Sequence, residues 1–258
     1  MARVFITGSS DGLGRMAAQL LVDQGHQVVV HARNEQRGRD AATATPGAEA
    51  VVIGDLSSIT QTRKVADEVN QLGLFDAVIH NAAVGYREAR RLLTEDGLPH
   101  VFAVNTLAPY VLTALIRRPR RLVYLSSGIH TNGDPNLDDL LWKTKRWNGT
   151  QAYSDSKLHD TLLAFAVARH WRDVYSNAVN PGWVATKMGG AHAPDDLDQG
   201  HRTQAWLAVS EDPAAKVSGE YFFHLKPHKP TPVARDEELQ EKLLGACADL
   251  SGVRMPSS

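Results

Sequence analysis

A tyrosine and a lysine four residues apart carry the chemistry that this sequence is best equipped for. Tyr153 and Lys157 lie in the segment YSDSK, within a stretch of helical periodicity. Residues i and i+4 of a helix share one face. A lysine ammonium beside a phenol favours the phenolate, which lowers the tyrosine pKa from about 10. Such a tyrosine can exchange a proton with an alcohol oxygen. An isolated pair of this kind is more often a surface contact, so its surroundings must decide.

Polar residues at two other places fit the same chemistry. Ser126 and Ser127 end a predicted strand, and a serine hydroxyl there could donate a hydrogen bond to a substrate oxygen. Paired serines also serve as turn or helix caps. Asn105 lies inside a predicted helix, where asparagine has poor propensity. It is either a satisfied polar residue or a bridge through water to Lys157.

A glycine-rich turn near the N-terminus has the form of a phosphate-binding loop. Residues 7–14 read TGSSDGLG, after a short apolar strand and before an amphipathic helix. Gly8 permits a tight turn, Gly12 lets the backbone approach a pyrophosphate, and Gly14 lets the helix pack closely on the strand. The helix N-terminus then faces the phosphates. Such turns also arise for packing alone, but the strand and helix context favours the binding interpretation.

Strands and helices alternate along the chain. The predicted strands are Val4–Ile6, Gln27–Val30, Ala50–Ile53, Ala77–Ile79, Leu122–Leu125, Ser176–Val179 and Glu220–Phe223. The predicted helices are Leu13–Gln24, Glu35–Ala44, Ile59–Leu72, Thr94–Ile116, Gln151–Trp171 and Asp236–Leu250. The pattern predicts a single α/β domain over residues 1–258, doubly wound and Rossmann-like, with a mostly parallel seven-stranded sheet and helices on both faces.

Three long loops follow predicted strands. They span residues 83–93, 128–150 and 182–199, at the sheet edge where open α/β proteins bind ligands. Their aromatic residues either line an apolar pocket or pack the loops onto the body; these are Tyr86, His130, Trp142, Trp147 and Trp183. The segment from Lys226 to Pro232 carries three prolines and is predicted to be extended and exposed.

Composition excludes several classes of function. The 258 residues carry a net charge of −1, which leaves no electrostatic footprint for nucleic acid. One cysteine excludes an internal disulfide, and neither a signal peptide nor a membrane span is evident. We expect a cytoplasmic protein. No metal site is expected, since His224 and His228 flank Pro227, which argues against a continuous helix there.

Seven motifs together resemble the short-chain dehydrogenase/reductase family. In the family's order they are Thr7–Gly14, Asp55-Leu56, Asn81-Ala82-Ala83, Asn105, Ser126-Ser127, Tyr153–Lys157 and Asn180–Thr186. The resemblance covers nearly the whole chain. It is strongest to the retinol-dehydrogenase-like branch, on the residues 126–130, 152–158, 210–211 and 217–222.

The resemblance implies a role for each matching residue. Tyr153 would be the general acid/base, Lys157 would bind the nicotinamide ribose and lower the tyrosine pKa, Ser127 would orient the substrate oxygen, and Asn105 would complete a proton relay. Asp55 would receive the adenine amino group. The implied cofactor-binding residues are Gly8, Ser9, Ser10, Asp11, Gly12, Leu13, Gly14, Arg33, Asp55, Leu56, Asn81, Ala82, Ala83, Tyr153, Lys157, Pro181, Gly182, Val184 and Thr186.

Two departures from the family pattern have consequences. His80 and Ala83 flank Asn81-Ala82 where the family often has asparagine and glycine, which alters how this strand holds the central helix. The interval between Ser127 and Tyr153 is also longer than in many members, which weakens the assignment of Ser127.

The residues after the second strand predict the cofactor. An acidic residue there would bind both ribose hydroxyls of NAD, but the sequence is VVHARN, and Arg33 can pair with a 2′-phosphate. We therefore predict NADP(H), with NAD(H) as the alternative; a solvated loop arginine is the less favoured interpretation of Arg33.

The expected activity is the interconversion of an alcohol with an aldehyde or ketone, on an apolar small-molecule substrate. The alternative is a non-catalytic dinucleotide-binding sensor of the same fold. The family resemblance further implies a possible homodimer or homotetramer through the predicted helices Thr94–Ile116 and Gln151–Trp171.

Overall fold

One sheet with helices on both faces forms the body of the molecule. The computed structural model describes residues 1–256. The strands are β1 Arg3–Ile6, β2 Gln27–Ala32, β3 Ala50–Ile53, β4 Ala77–His80, β5 Arg121–Leu125, β6 Tyr175–Asn180, β7 Tyr221–Phe223 and β8 Lys226–His228. Their order in the sheet is β3-β2-β1-β4-β5-β6-β7-β8. The first seven are parallel, as predicted, and β8 is antiparallel to β7.

The eighth strand corrects the predicted count of seven. It lies in the segment predicted to be extended and exposed, and it pairs with β7 through a two-residue turn at His224 and Leu225. Both residues have positive φ, 47° and 65°, the backbone of a tight hairpin. Such turns usually carry glycine or asparagine. Because this turn carries histidine and leucine, the sequence did not predict a hairpin here. Pro227 is tolerated because β8 is an edge strand.

Alternation along the strands sends side chains into two helix layers. Val4 and Ile6 belong to one apolar cluster and Phe5 to the other. The helices are α1 Gly12–Asp23, α2 Glu35–Ala44, α3 Ile59–Leu72, α4 His100–Phe102, α5 Ala108–Leu115, α6 Gly149–His170, α7 Leu197–Val209 and α8 Glu237–Ser251. Residues of α1, α2 and α7 pack on one face, and residues of α3, α5, α6 and α8 pack on the other.

The predicted helix Thr94–Ile116 begins six residues late. A turn at Gly97, with φ of 72°, and a bridge between Leu93 and Pro99 precede α4. A π-helical segment, Ala103–Leu107, then joins α4 to α5. Apolar spacing alone does not reveal either the turn or the π segment.

Helix α7 was absent from the sequence prediction. It takes over the end of the predicted loop 182–199, as α6 takes over residues 149–150 of the loop 128–150. Its buried face includes His201, Thr203 and Gln204 beside Ala205 and Ala208. These polar residues hide the apolar periodicity by which a helix is normally detected.

The last helix covers the pair formed by α5 and α6. Every residue of α6 from Ser154 to Val167 is buried within the single chain, and Tyr110 of α5 donates a hydrogen bond to the Val253 carbonyl just beyond α8. The outer side of this helix pair is therefore enclosed. None of the helices described over residues 1–256 is both long and apolar enough to cross a bilayer.

Candidate active site

The glycine turn between β1 and α1 leaves no room for side chains at two positions. Gly8 has a φ of 62°, and a Cβ there would lie 2.7 Å from the Ala82 Cα. A Cβ at Gly14 would lie 2.3 Å from the Asn81 Nδ2 and 2.7 Å from the Gly8 carbonyl oxygen. Gly12 has a φ of 55° and faces open space. These glycines bring bare backbone and the start of α1 together, which is the geometry of a dinucleotide cradle.

Thr7 and Asn81 tie this turn to the end of β4. The Asn81 amide donates to the carbonyls of Thr7 and Gly8, at 3.0 and 3.1 Å. The Thr7 hydroxyl accepts from the backbone N–H groups of Asn81 and Ala82, both at 3.0 Å. Asn81, predicted to line the adenosine, therefore uses its amide to hold the turn. Ala82 and Ala83 remain half-buried beside it.

Ser9 and His31 support the turn from beneath. Ser9 is fully buried, and its hydroxyl donates to the Ile6 carbonyl and accepts from the His31 N–H. The His31 Nδ1 accepts from the Gly8 N–H at 3.0 Å, and its Nε2 contacts the Gly54 carbonyl at 2.9 Å. Burial lowers the pKa of His31 to about 4, so the ring is neutral at physiological pH. Ser9 was predicted to contact the cofactor, but its hydroxyl bonds to the backbone beneath the turn. His31, which sequence reasoning missed, supports the same turn.

Cationic side chains surround the outer side of the turn. Asp11 caps α1 by accepting from the Gly12 N–H at 2.8 Å. Arg37 of α2 donates to the Ser10 hydroxyl and the Asp11 carboxylate, and Lys187 from the loop after β6 also pairs with Asp11. Arg33 lies at the end of β2 with an exposed side chain. Arg37 and Lys187 share the single carboxylate of Asp11, so these three side chains leave a net positive charge beside the turn, which suits an anionic ligand.

The remaining predicted cofactor residues lie after β3 and β6. An Asp55 carboxylate oxygen accepts from the Ser57 N–H at 2.9 Å, whereas the Leu56 side chain packs into the core. Beyond β6, Pro181, Gly182, Val184 and Thr186 begin the third loop. A Cβ at Gly200 would lie 3.1 Å from atoms of both Leu13 and Val184, so this loop closes against the glycine turn.

Tyr153 and Lys157 lie together on α6, as their spacing predicts. The Lys157 Nζ is 5.5 Å from the centre of the Tyr153 ring. The Tyr153 hydroxyl contacts the Met188 Sδ at 3.6 Å, and its ring meets Tyr86 edge-on at 5.4 Å. Met188, which sequence reasoning missed, belongs to the third loop. The phenol therefore lies at the meeting point of the first and third loops.

Lys157 is held at the end of β5. Its Nζ donates to the Leu125 carbonyl at 2.7 Å and to the Asp160 carboxylate at 2.8 Å. Ser126 donates in turn to the Lys157 carbonyl at 2.8 Å and is buried. Ser126, the first of the paired serines, therefore ties the end of β5 to α6.

Ser127 keeps its hydroxyl proton available. It caps the 3₁₀ turn Gly128–Asn132, where its Oγ accepts a long contact from the Ile129 N–H at 3.4 Å, and over residues 1–256 its hydroxyl has no acceptor. His130 fixes its backbone, because the ring Nδ1 donates to the Ser127 carbonyl at 2.8 Å while the Nε2 accepts from the Thr231 N–H at 3.0 Å. This favours Ser127 over Ser126 as the donor to a substrate.

Asn105 lies in the π segment and is fully buried. Its Oδ1 accepts from the Val84 N–H, and its Nδ2 donates to the Val84 carbonyl and the Ser156 hydroxyl, all between 2.9 and 3.0 Å. The side chain thus ties the first loop to α6. The Asn105 Nδ2 uses both of its protons in these bonds, whereas the Oδ1 keeps one acceptor lone pair, and the relay role stays a prediction.

The acidity of Tyr153 differs from the prediction. Burial raises the pKa of the phenol, the Lys157 charge lowers it, and Asp160 and Tyr86 raise it further, so the pKa lies above its ordinary value. The predicted effect of Lys157 has the right direction, but the predicted net lowering is wrong because burial and Asp160 outweigh it.

The loop aromatics divide into two groups. Tyr86 contacts the catalytic candidate directly, and Trp183 is exposed on the third loop. Trp142 is buried edge-on against Trp147, whose Nε1 donates to the Glu88 carbonyl. His130 is buried against Tyr221. These last three hold the loops onto the body.

Comparison with known proteins decides the family. Residues 2–122 match the family model for short chain dehydrogenases. The chain is 46% identical to an uncharacterized oxidoreductase, AN7799, of Emericella nidulans over 99% of both chains, and 41% identical to the short-chain dehydrogenase chyC of Penicillium rubens over the full length of both. The chain belongs to the short-chain dehydrogenase family. It is an oxidoreductase.

The dehydrogenase lies close to the retinol-dehydrogenase-like branch. It is 30% identical to human retinol dehydrogenase 13, over 98% of this chain and 86% of the relative. A solved structure from Mycobacterium paratuberculosis matches with a TM-score of 0.86 at 28% identity, over 99% of this chain and 95% of the other. The fold also matches that of a blue fluorescent protein from a metagenomic library, solved with NADPH, with a TM-score of 0.69 at 20% identity, over 86% and 95%.

One departure from the family pattern has a visible counterpart in this dehydrogenase. The His80 Nε2 lies 3.0 Å from the Thr113 hydroxyl on α5, and Thr113 also contacts the Tyr124 hydroxyl at 2.7 Å. His80 therefore contacts α5 through Thr113, and the effect of replacing the family's asparagine stays a prediction.

Proposed function

We propose that this dehydrogenase interconverts an alcohol with an aldehyde or ketone, using NADP(H). The observation that carries the proposal is the buried Lys157 beside Tyr153, with Lys157 bound to the end of β5 immediately before the paired serines. This arrangement joins a proton-exchanging phenol to the edge of the sheet where the glycine turn lies.

The residues present fit a nicotinamide dinucleotide. The cradle has no room for side chains at Gly8 and Gly14, where a Cβ would collide with neighbouring atoms. Ser10 and Arg37 border it with hydroxyl and guanidinium groups, and the exposed Arg33 follows β2. When bound, the cofactor supplies or accepts the hydride.

The chain's own residues handle the proton and the substrate oxygen. Reduction of a carbonyl forms a C–H bond and an O–H bond, and Tyr153 donates the proton that completes the O–H bond. Ser127 donates a hydrogen bond to the same oxygen and stabilises its developing negative charge. Lys157, held at Leu125, keeps a positive charge beside the phenol. In alcohol oxidation the same proton returns to Tyr153.

An apolar substrate is supported by the groups that border the Tyr153 hydroxyl. Tyr86 and Met188 lie on it from two loops, and Trp183 is exposed nearby along the third loop. The predicted homodimer or homotetramer stays a prediction. Because α8 encloses α5 and α6, we propose that any subunit contact uses another surface.

A dinucleotide-binding sensor without turnover is the rival function. We expect the purified protein first to bind NADPH and then to consume it in the presence of aldehydes and ketones. Fluorescence titration measures the binding, and absorbance at the nicotinamide band measures consumption across a panel of apolar carbonyl compounds. Tight NADPH binding with no consumption across the panel would favour the sensor.

Arg33 is expected to select the phosphorylated cofactor. The Arg33→Ala variant should bind NADPH about 10- to 100-fold more weakly, because a charge-assisted bond to the 2′-phosphate is lost, while NADH affinity stays within about twofold. Arg39→Ala is the matched control, since the Arg39 side chain donates to the Gln36 Oε1 on the exposed side of α2, away from the glycine turn. Unchanged NADPH affinity in Arg33→Ala, or comparable catalytic efficiency of the parent protein with both cofactors, would contradict the assignment.

A further inference from the structure

A buried carboxylate accompanies the catalytic lysine. Tyr153, Lys157 and Asp160 stand at positions i, i+4 and i+7 of α6, so they form one stripe along the helix. The Asp160 Oδ2 lies 2.8 Å from the Lys157 Nζ, and both side chains are only 3% exposed. The proposed mechanism gives Asp160 no task.

The contact changes what Lys157 can offer. An ammonium has three N–H donors. Two of those of Lys157 are taken by the Leu125 carbonyl and Asp160, which leaves one for a ligand. The carboxylate also balances the lysine charge inside a poorly solvated site, where such charges act over longer distances than in water.

Within residues 1–256, no third charged side chain faces this pair. Tyr124 of β5 faces Asp160 and is kept neutral by burial, which raises its pKa. His80 stacks against Tyr124 and is also neutral, since burial lowers its pKa to about 3. Tyr86, from the first loop, faces Tyr153. Lys157 and Asp160 therefore supply the charges around the phenol. Burial raises the pKa of the Asp160 carboxyl and the Lys157 ammonium opposes that rise, so the charge of Asp160 depends on this pairing.

We propose that Asp160 is a positioning residue that holds the Lys157 ammonium and offsets its charge, so that Tyr153 keeps its proton to a higher pH and the site favours proton donation in carbonyl reduction. This inference rests on the proposed function. The effect of each charge on Tyr153 agrees in direction, because Lys157 lowers its pKa and Asp160 raises it.

The test is the pH dependence of the Asp160→Asn variant. Asparagine keeps the shape and an oxygen for the Lys157 Nζ but carries no charge. Removing one negative charge two helical turns away should lower the Tyr153 pKa by about one unit. The rising limb of alcohol oxidation should move down by the same amount, and oxidation at pH 7 should speed up by up to about tenfold relative to the parent protein.

A readout without turnover accompanies the kinetics. Tyrosine labelled with ¹³C at Cζ reports ionisation of the phenol by NMR, and the Tyr153→Phe spectrum assigns the resonance. The NMR titration of Asp160→Asn should show the same decrease of about one unit in the Tyr153 pKa. Asp155→Asn is the control, because Asp155 is a buried carboxylate of the same helix that contacts Asp134, Gln151 and Lys145 instead. It should leave the Tyr153 titration in place.

A Tyr153 pKa that stays the same or rises in a folded Asp160→Asn protein would overturn the inference. If asparagine is not tolerated, Asp160→Ser, which is also neutral and can accept from Nζ, must give the downward shift. The two proposals fail separately: NADPH binding without consumption across the carbonyl panel removes the proposed function, whereas the NMR titration of Tyr153 still measures the effect of Asp160.

Discussion

Replacing Tyr153 with phenylalanine is expected to lower kcat by about 10²- to 10⁴-fold, the range for a lost general acid or base. Phenylalanine keeps the edge-on contact with Tyr86 and removes only the hydroxyl that faces Met188. NADPH affinity should change by less than about threefold, because Lys157 and the glycine turn are untouched. Steady-state kinetics and fluorescence titration together measure both quantities.

Tyr175→Phe provides the matched control for this variant. Tyr175 lies at the start of β6, against the Arg121 guanidinium and at the opposite end of the strand from the third loop. Its loss of a hydroxyl should leave kcat within about twofold. Turnover that persists in Tyr153→Phe would show that the proton travels by another group.

The Gly14→Ala substitution is expected to weaken NADPH binding by about 10- to 100-fold. The added methyl group would lie 2.7 Å from the Gly8 carbonyl and 2.3 Å from the Asn81 amide nitrogen, which itself holds the turn. Either α1 moves away from the turn or the Asn81 bonds break, and overpacking of this kind costs about 1–3 kcal/mol. Calorimetric titration with NADPH measures the affinity, and urea denaturation measures the free energy of unfolding.

Gly245→Ala separates a local clash from the general effect of replacing glycine. Gly245 lies in α8, and a Cβ there would meet no atom within 4 Å. This variant should keep the parent affinity and gain about 0.5–1 kcal/mol in the free energy of unfolding, because alanine favours helix. A folded Gly14→Ala protein with unchanged affinity would contradict the cradle.

The sheet and most helices could be predicted because their signals are local. The parallel strands are short apolar runs, and the predicted bounds of α2, α3 and β3 agree with the structure. The order of the motifs was enough to identify the family, because most of them follow strands at one edge of the sheet and the others lie in the π segment and on α6. The glycines were equally readable, since Gly8 and Gly12 have the positive φ that glycine adopts readily in a tight turn.

What the sequence did not reveal depends on tertiary contacts. The bond from the Gly8 N–H to His31 joins residues 23 positions apart, and nothing in the pattern around His31 announces it. Asp160 reads as one more charge on a helix until its neighbours show it to be buried with Lys157. The net rise of the Tyr153 pKa follows from that burial, which spacing alone does not give.

Helix α6 can be covered by α8 only late in the synthesis of the chain. Nearly seventy residues separate the end of α6 from the start of α8, yet α6 is enclosed only when the two meet. During synthesis, the apolar surface of α6 remains exposed to solvent until α8 has been synthesised and packs against it. Nascent chains that stop between the end of α6 and the start of α8 should therefore be the species most prone to aggregate.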